Sequence, residues 1–146
     1  MDRNTAFAST AIAAISVAIV LGFWNIGSPG NQREISTDQR RGEDLQRIAN
    51  ALNHHYSLRN HTLPASLSEV QPVGPYLRLK DPVTQVVYDY RALAGSEYRI
   101  CANFSTDTTR DENLPAQNSA PLFAKHPRGR QCFTLDATQA APAGFP

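Results

Sequence analysis

The side chains able to do chemistry in this chain are few and scattered. Four histidines, two cysteines and a few loop carboxylates are the residue types that bind metals, move protons or attack substrates. His54 and His55 are adjacent, so on a helix they point about 100° apart and do not converge on one ion. His61 and His126 stand alone, and neither His-x3-His nor Cys-x2-Cys spacing occurs. No metal site and no cofactor is expected from this pattern. Asp107, Asp111 and Glu112 could offer oxygens to calcium, but without the dense alternation of ligands of a calcium loop they are expected to be solvated. There is no nucleophile elbow, P-loop or dinucleotide fingerprint. These residues name no substrate and no reaction, and a non-catalytic protein is expected.

Cys101 and Cys132 each lie in a short stretch that reads as a strand. Either they are bridged or they are two buried thiols, which cysteine tolerates well. The bridge is the expectation, because a domain of this size gains from a staple. Closing a loop of about 32 residues contributes roughly 3–4 kcal/mol in the chain-entropy account. A bridge implies an oxidising compartment outside the cytoplasm.

The elements that must carry these residues begin with an uncharged run. No ionisable side chain occurs from Asn4 to Gln32, and residues 6–26 are almost wholly apolar. At about 1.5 Å per residue such a helix covers roughly 30 Å, the thickness of the bilayer's hydrocarbon core. A transmembrane helix over 6–26 is therefore expected, preceded by a short segment at 1–5. It ends without the small-residue cleavage pattern of a signal peptide, and Trp24 suits the membrane interface. Ala6, Thr10, Ala14, Ala18 and Gly22 recur every fourth residue, a ladder of small side chains that lets another helix approach closely. The alternative is that alanine fills an unpartnered anchor.

Charge alone does not orient the span. Arg3 lies on one side and Arg33, Arg40 and Arg41 on the other, which counted naively keeps the large domain in the cytoplasm. That rule weakens before a long domain. The cysteines argue for a cytoplasmic N-terminus and an extracytoplasmic, periplasmic domain at the inner membrane.

Residues 27–35 read as a breaker-rich linker, and 36–135 as one α+β domain. Ser36, Thr37 or Asp38 can cap a second helix. Leu45, Ile48, Ala49, Leu52 and Tyr56 then draw an apolar stripe of 3.6-residue period. Arg40, Arg41, Glu43, Asp44, Arg47 and Asn53 read as its solvated side, and Asn60 as its terminator. Val86–Arg91, Tyr98–Phe104 and about Gln131–Leu135 alternate as strands of a small antiparallel sheet, with Gly95-Ser96 as a turn. Val86, Tyr88 and Tyr90 share one side, as do Tyr98, Ile100, Ala102 and Phe104, while Cys101 points to the other face toward Cys132. The loop Ser105–Arg130 holds one apolar cluster, Pro121-Leu122-Phe123, read either as a buried satellite of the core or as a point where a partner docks. The tail 136–146 is expected to lack regular structure.

In that order of elements, Leu63-Pro64-Ala65-Ser66-Leu67, Asp81-Pro82-Val83-Thr84-Gln85-Val86-Val87-Tyr88-Asp89-Tyr90 and Tyr98-Arg99-Ile100-Cys101-Ala102 resemble the globular part of bacterial type II secretion pseudopilins over roughly residues 38–104. The resemblance implies a pilin-like fold, an amphipathic helix on an antiparallel sheet behind an N-terminal span. It does not extend to a leader glycine or to an acid early in the helix, so leader processing and filament assembly are not expected.

A net charge of +1 with basic and acidic residues interspersed leaves no footprint for nucleic acid. The expected function is a single-pass accessory subunit. Its span meets lipid and other membrane proteins, and its outer domain braces or docks onto a larger complex, whether secretory, respiratory or photosynthetic. A pseudopilin-like filament or secretion component is the alternative, and a ligand- or metal-binding sensor the minor one.

Overall fold

A computed structural model describes residues 12–19, 21–22, 29–70, 77–111 and 122–139. Its contacts divide the chain into Met1–Arg33 and Glu34–Pro146. In the first unit, residues 12–19 and 21–22 are helical. The remainder of the expected span lies outside the described residues. Among the described residues no helix is long and apolar enough to cross a membrane.

The domain is α+β. Helix α1 runs Pro29–Leu58, followed by a 3₁₀ turn at Leu67–Glu69 and strands β1 (Asp89–Ala92), β2 (Glu97–Phe104) and β3 (Gly129–Asp136). The sheet is antiparallel in the order β1-β2-β3.

The helix starts earlier than the sequence suggests. Residues 29–35 are not linker but the first two turns of α1. Proline is tolerated in the first turn because its missing N–H has no intrahelical acceptor there and its φ is already helical. A helix beginning at Pro29 leaves Asp38 in its interior, free for work other than capping. The other end is as expected. Asn60 takes a left-handed φ of 52°, and the His61 N–H reaches back to the Tyr56 carbonyl at 3.1 Å, a six-to-one closure of the Schellman type.

Leu45, Ile48, Ala49, Leu52 and Tyr56 are all buried, and they share one core with Tyr98, Ile100, Ala102 and Phe104 of β2. This core is the reason for the two periodicities: every 3.6 residues on α1 and every second residue on β2 must reach the same dry layer. Leu67 is buried and Leu63 packs against the cluster, so the post-helix loop is pinned as its leucines suggest.

Three local expectations need correction. Val86 is 65% exposed rather than sharing the inner face with Tyr88, because β1 begins only at Asp89 and residues 81–87 form a tight turn closed by a bridge between Lys80 and Val87. Phe123 is 1% exposed and packs edge-on to Phe133 at 4.8 Å. It is a core residue and unavailable to a partner; Leu122 is 37% exposed, and Pro121 lies outside the described residues. The tail is structured at its start, where Ala137 is buried and donates its N–H to the Ser96 carbonyl at 3.0 Å.

Gly95 turns the β1–β2 hairpin at φ +68°, and a Cβ there would meet nothing within 4 Å. Gly95→Ala should therefore cost roughly 1 kcal/mol through backbone strain alone, read as a lower urea midpoint with an unchanged m-value.

Candidate functional site

The polar chemistry of the domain is concentrated inside it, on the side of α1 that the sequence assigns to solvent. Asp38, Arg41 and Asp44 are all buried, as is Asp81 from the turn before β1. Their spacing explains the grouping, since residues three apart on a helix are neighbours on its surface.

Arg41 sits between two carboxylates. Its Nε donates to Asp81 Oδ2 at 2.5 Å and its Nη2 to Asp81 Oδ1 at 3.3 Å, a two-point grip that a guanidinium makes and an ammonium does not. Its Nη1 donates to Asp38 Oδ1 at 2.8 Å and to the Ser105 hydroxyl at 2.9 Å. Asp38 also accepts the Ser105 N–H at 3.0 Å, the Thr106 N–H at 2.7 Å and the Thr106 hydroxyl at 2.6 Å. Asp81 Oδ1 accepts the N–H groups of Val83 and Thr84 at 2.9 and 2.8 Å. One cation thus ties together α1, the turn before β1 and the exit from β2.

The ionisation states follow from these partners. Burial pushes the Asp81 carboxyl up, but the Arg41 hydrogen bonds and the Thr84 and Val83 N–H groups outweigh it and bring its pKa down to about 2. For Asp38, burial also works upward and is overcome by Thr106, Ser105 and Arg41, leaving it below the ordinary carboxylate value. Asp44 is the reverse case. Burial raises it despite nearby Arg78 and the hydrogen bond from the Tyr88 hydroxyl.

His126 borders the group. It is buried and stacks on Phe104 with ring centroids 3.7 Å apart. Burial lowers its pKa against the pull of Asp38, and its Nδ1 has no hydrogen-bond partner among the described residues. The backbone around it is tied to the β2 exit through the Thr108 N–H, which donates to the His126 carbonyl at 2.9 Å.

This arrangement ties three segments of the fold together. Both low-pKa carboxylates are saturated with donors, so neither is poised to take a proton near neutral pH. The remaining histidines do not join in: His54 and His61 are exposed and His55 is half-buried. Among the described residues no three His, Cys, Asp or Glu side chains are grouped to hold a metal. Asp107 closes its own turn on Thr109, and Glu112 lies outside the described residues.

The pH response of stability tests the assignment. Below about pH 6.5 the unfolded chain protonates His126 before the folded one does, so stability should begin to fall, with Asp44 partly opposing because its folded pKa is raised. A second loss follows as pH drops from about 4 to about 2, where unfolded Asp38 and Asp81 take protons that the folded carboxylates refuse. Asp81 alone accounts for roughly 2 kcal/mol of that lower step. Urea midpoints measured across pH should show the lower step flattened in Asp81→Asn.

On the opposite face of the sheet, Cys101 and Cys132 are direct cross-strand partners and are bridged. Of the other residues singled out from sequence, Ala14 and Ala18 are exposed on the described helical segment, and nothing lies within 4 Å of a Cβ built on Gly22. Ala6, Thr10 and Trp24 lie outside the described residues. Val83 and Val86, each 65% exposed, and Val87, 50% exposed, form an apolar tip that sequence reading missed. The signal available was Asp81-Pro82, whose turn throws the following valines outward before the strand begins. No known protein family, curated protein or solved structure matches the chain.

Proposed function

We propose that this protein is a non-catalytic, single-pass membrane subunit whose disulfide-stapled domain stands outside the cytoplasm and docks onto a larger membrane assembly. The observation that carries this reading is the bridge between Cys101 and Cys132, since disulfides form and persist in oxidising compartments. The uncharged stretch from Asn4 to Gln32 supplies the anchor. The ladder Ala6, Thr10, Ala14, Ala18 and Gly22 supplies a face for packing against a neighbouring helix in lipid. The valine tip at 83–87 supports the docking part. It is held rigid by Asp81 and by Gln85 in the left-handed conformation, φ 58°, so its apolar surface is presented at little entropic cost on binding.

The test is purification of the full chain from membranes in mild detergent, with mass spectrometry of the associated chains. Stoichiometric association with larger membrane proteins is expected. It should be lost in Val86→Asp/Val87→Asp while the urea midpoint stays unchanged. A lone monomer, or release of the chain from membranes by high salt, overturns the reading.

The pseudopilin-like filament component is a second reading. It is favoured by the start of α1 at Pro29, which makes helix of the Pro29-Gly30 pair that suggests a break. A mature N-terminus that retains Met1–Asn4 by mass would count against it.

A further inference from the structure

The outer face of the sheet carries charge in an arrangement that works against folding. Glu97, Arg99, Cys101 and Asn103 of β2 alternate with the core-facing Tyr98, Ile100, Ala102 and Phe104. Register fixes what stands beside them. Arg91 is directly opposite Arg99, Asp89 opposite Cys101, and Arg130 opposite Asn103. Like charges facing each other across a strand pair are destabilising. The arginine pair therefore lowers stability. Arg130 pairs with Asp89 and brings its Nη2 to 4.0 Å from the Cys101 sulfur. Arg130 is thus the guanidinium beside the bridge, while along the same face Arg91 and Arg99 are offset by Glu97 and its cross-strand partner Asp136.

The two sulfurs are also unequal. Cys101 is 5% exposed, whereas Cys132, on edge strand β3, is exposed. An attacking thiolate reaches the more exposed cysteine, while the sulfur beside a guanidinium is the one that better carries the departing negative charge.

We propose that the Cys101–Cys132 bridge is a site of thiol–disulfide exchange with an external dithiol, Cys132 receiving the attack and Cys101 leaving beside Arg130. In the first step a thiolate of the dithiol forms a bond to the Cys132 sulfur. The Cys101–Cys132 bond breaks, and its electron pair departs on Cys101 as a thiolate. In the second step the other thiol of the dithiol, deprotonated, attacks the mixed disulfide and expels Cys132 as a thiolate. The dithiol is oxidised to a disulfide by two electrons, and its two protons end on Cys101 and Cys132. The domain then keeps its core, while β3 is held to β2 by the strand ladder and by packing such as Phe133 on Phe104, without a covalent tie.

The experiment uses the full chain in mild detergent, incubated with reduced glutathione under native conditions, quenched in acid and mapped by peptide mass. The expected product is glutathione on Cys132 with Cys101 as a free thiol. Its rate of formation should be flat across urea concentrations below the unfolding transition. Arg130→Gln should slow that rate by about threefold or more, following the higher pKa of the leaving thiol, at an unchanged urea midpoint. Arg130→Lys should restore it. Three results would overturn the proposal: a bridge that opens only in step with global unfolding, glutathione attached to Cys101, or a rate indifferent to Arg130→Gln.

Discussion

Arg41→Ala should destabilise the domain by about 3–5 kcal/mol, the characteristic cost of removing one partner from a buried ion cluster. Among the described residues the guanidinium is the one group bonded to both Asp38 and Asp81, so its loss strands two carboxylates away from water. Each then either pays desolvation as an anion or takes up a proton, surrendering the low pKa it holds in the wild type. A domain of this size has about 5–15 kcal/mol in total, so the variant should unfold at a much lower urea concentration. Two controls separate the charge cluster from helix propensity and bulk. Arg40→Ala removes the neighbouring, exposed arginine and should change stability by no more than about 0.5 kcal/mol. Asp38→Asn/Arg41→Met/Asp81→Asn neutralises all three groups at once and should recover a substantial part of the loss, because no uncompensated charge remains buried. Equal urea midpoints for Arg41→Ala and Arg40→Ala would show that the cluster contributes nothing.

Cys101→Ala/Cys132→Ala should lower stability by about 3–4 kcal/mol, roughly 15 °C in Tm, while the domain remains folded at room temperature. The bridge joins residues 31 apart in sequence, and the chain between them includes the β2 exit and the loop that brings Phe123 into the core. In the unfolded state the bridge restricts that whole stretch. In the folded state the strands are already in register with Cys101 opposite Cys132, so removing it leaves the native contacts intact. The m-value should rise, because the unfolded chain without the cross-link exposes more surface. Thermal melts of the wild type under reducing conditions should approach those of the double variant. Coincident melts in the oxidised state would show that the bridge is energetically idle.

The apolar half of the domain was legible in the amino-acid order. The stripe Leu45–Tyr56 and the alternation Tyr98–Phe104 each state which side chains face the core, and they allow Cys101 and Cys132 to meet on the outer sheet face, where the structure bridges them. Asp81-Pro82 and Gly95 mark turns that exist, because those residue types fix the local backbone whatever surrounds them.

The polar half was not legible, and the reason is distance along the chain. Arg41 and Asp44 look like two more charges on a wet helix face, since local spacing alone supplies no partner for them. Their partners are Asp81 and Ser105 for Arg41 and Tyr88 for Asp44, which lie 40 to 64 positions away along the chain. Phe123 was ambiguous for the same reason: an apolar residue in a long loop is core or surface according to where the loop returns. By itself the sequence determined periodicity, turns and the uncharged N-terminal run, which are local properties of a chain in water. Only the tertiary structure decided which charges are buried, which valines are exposed and how the two sulfurs of the bridge differ in access, because each depends on the meeting of segments that do not specify one another locally.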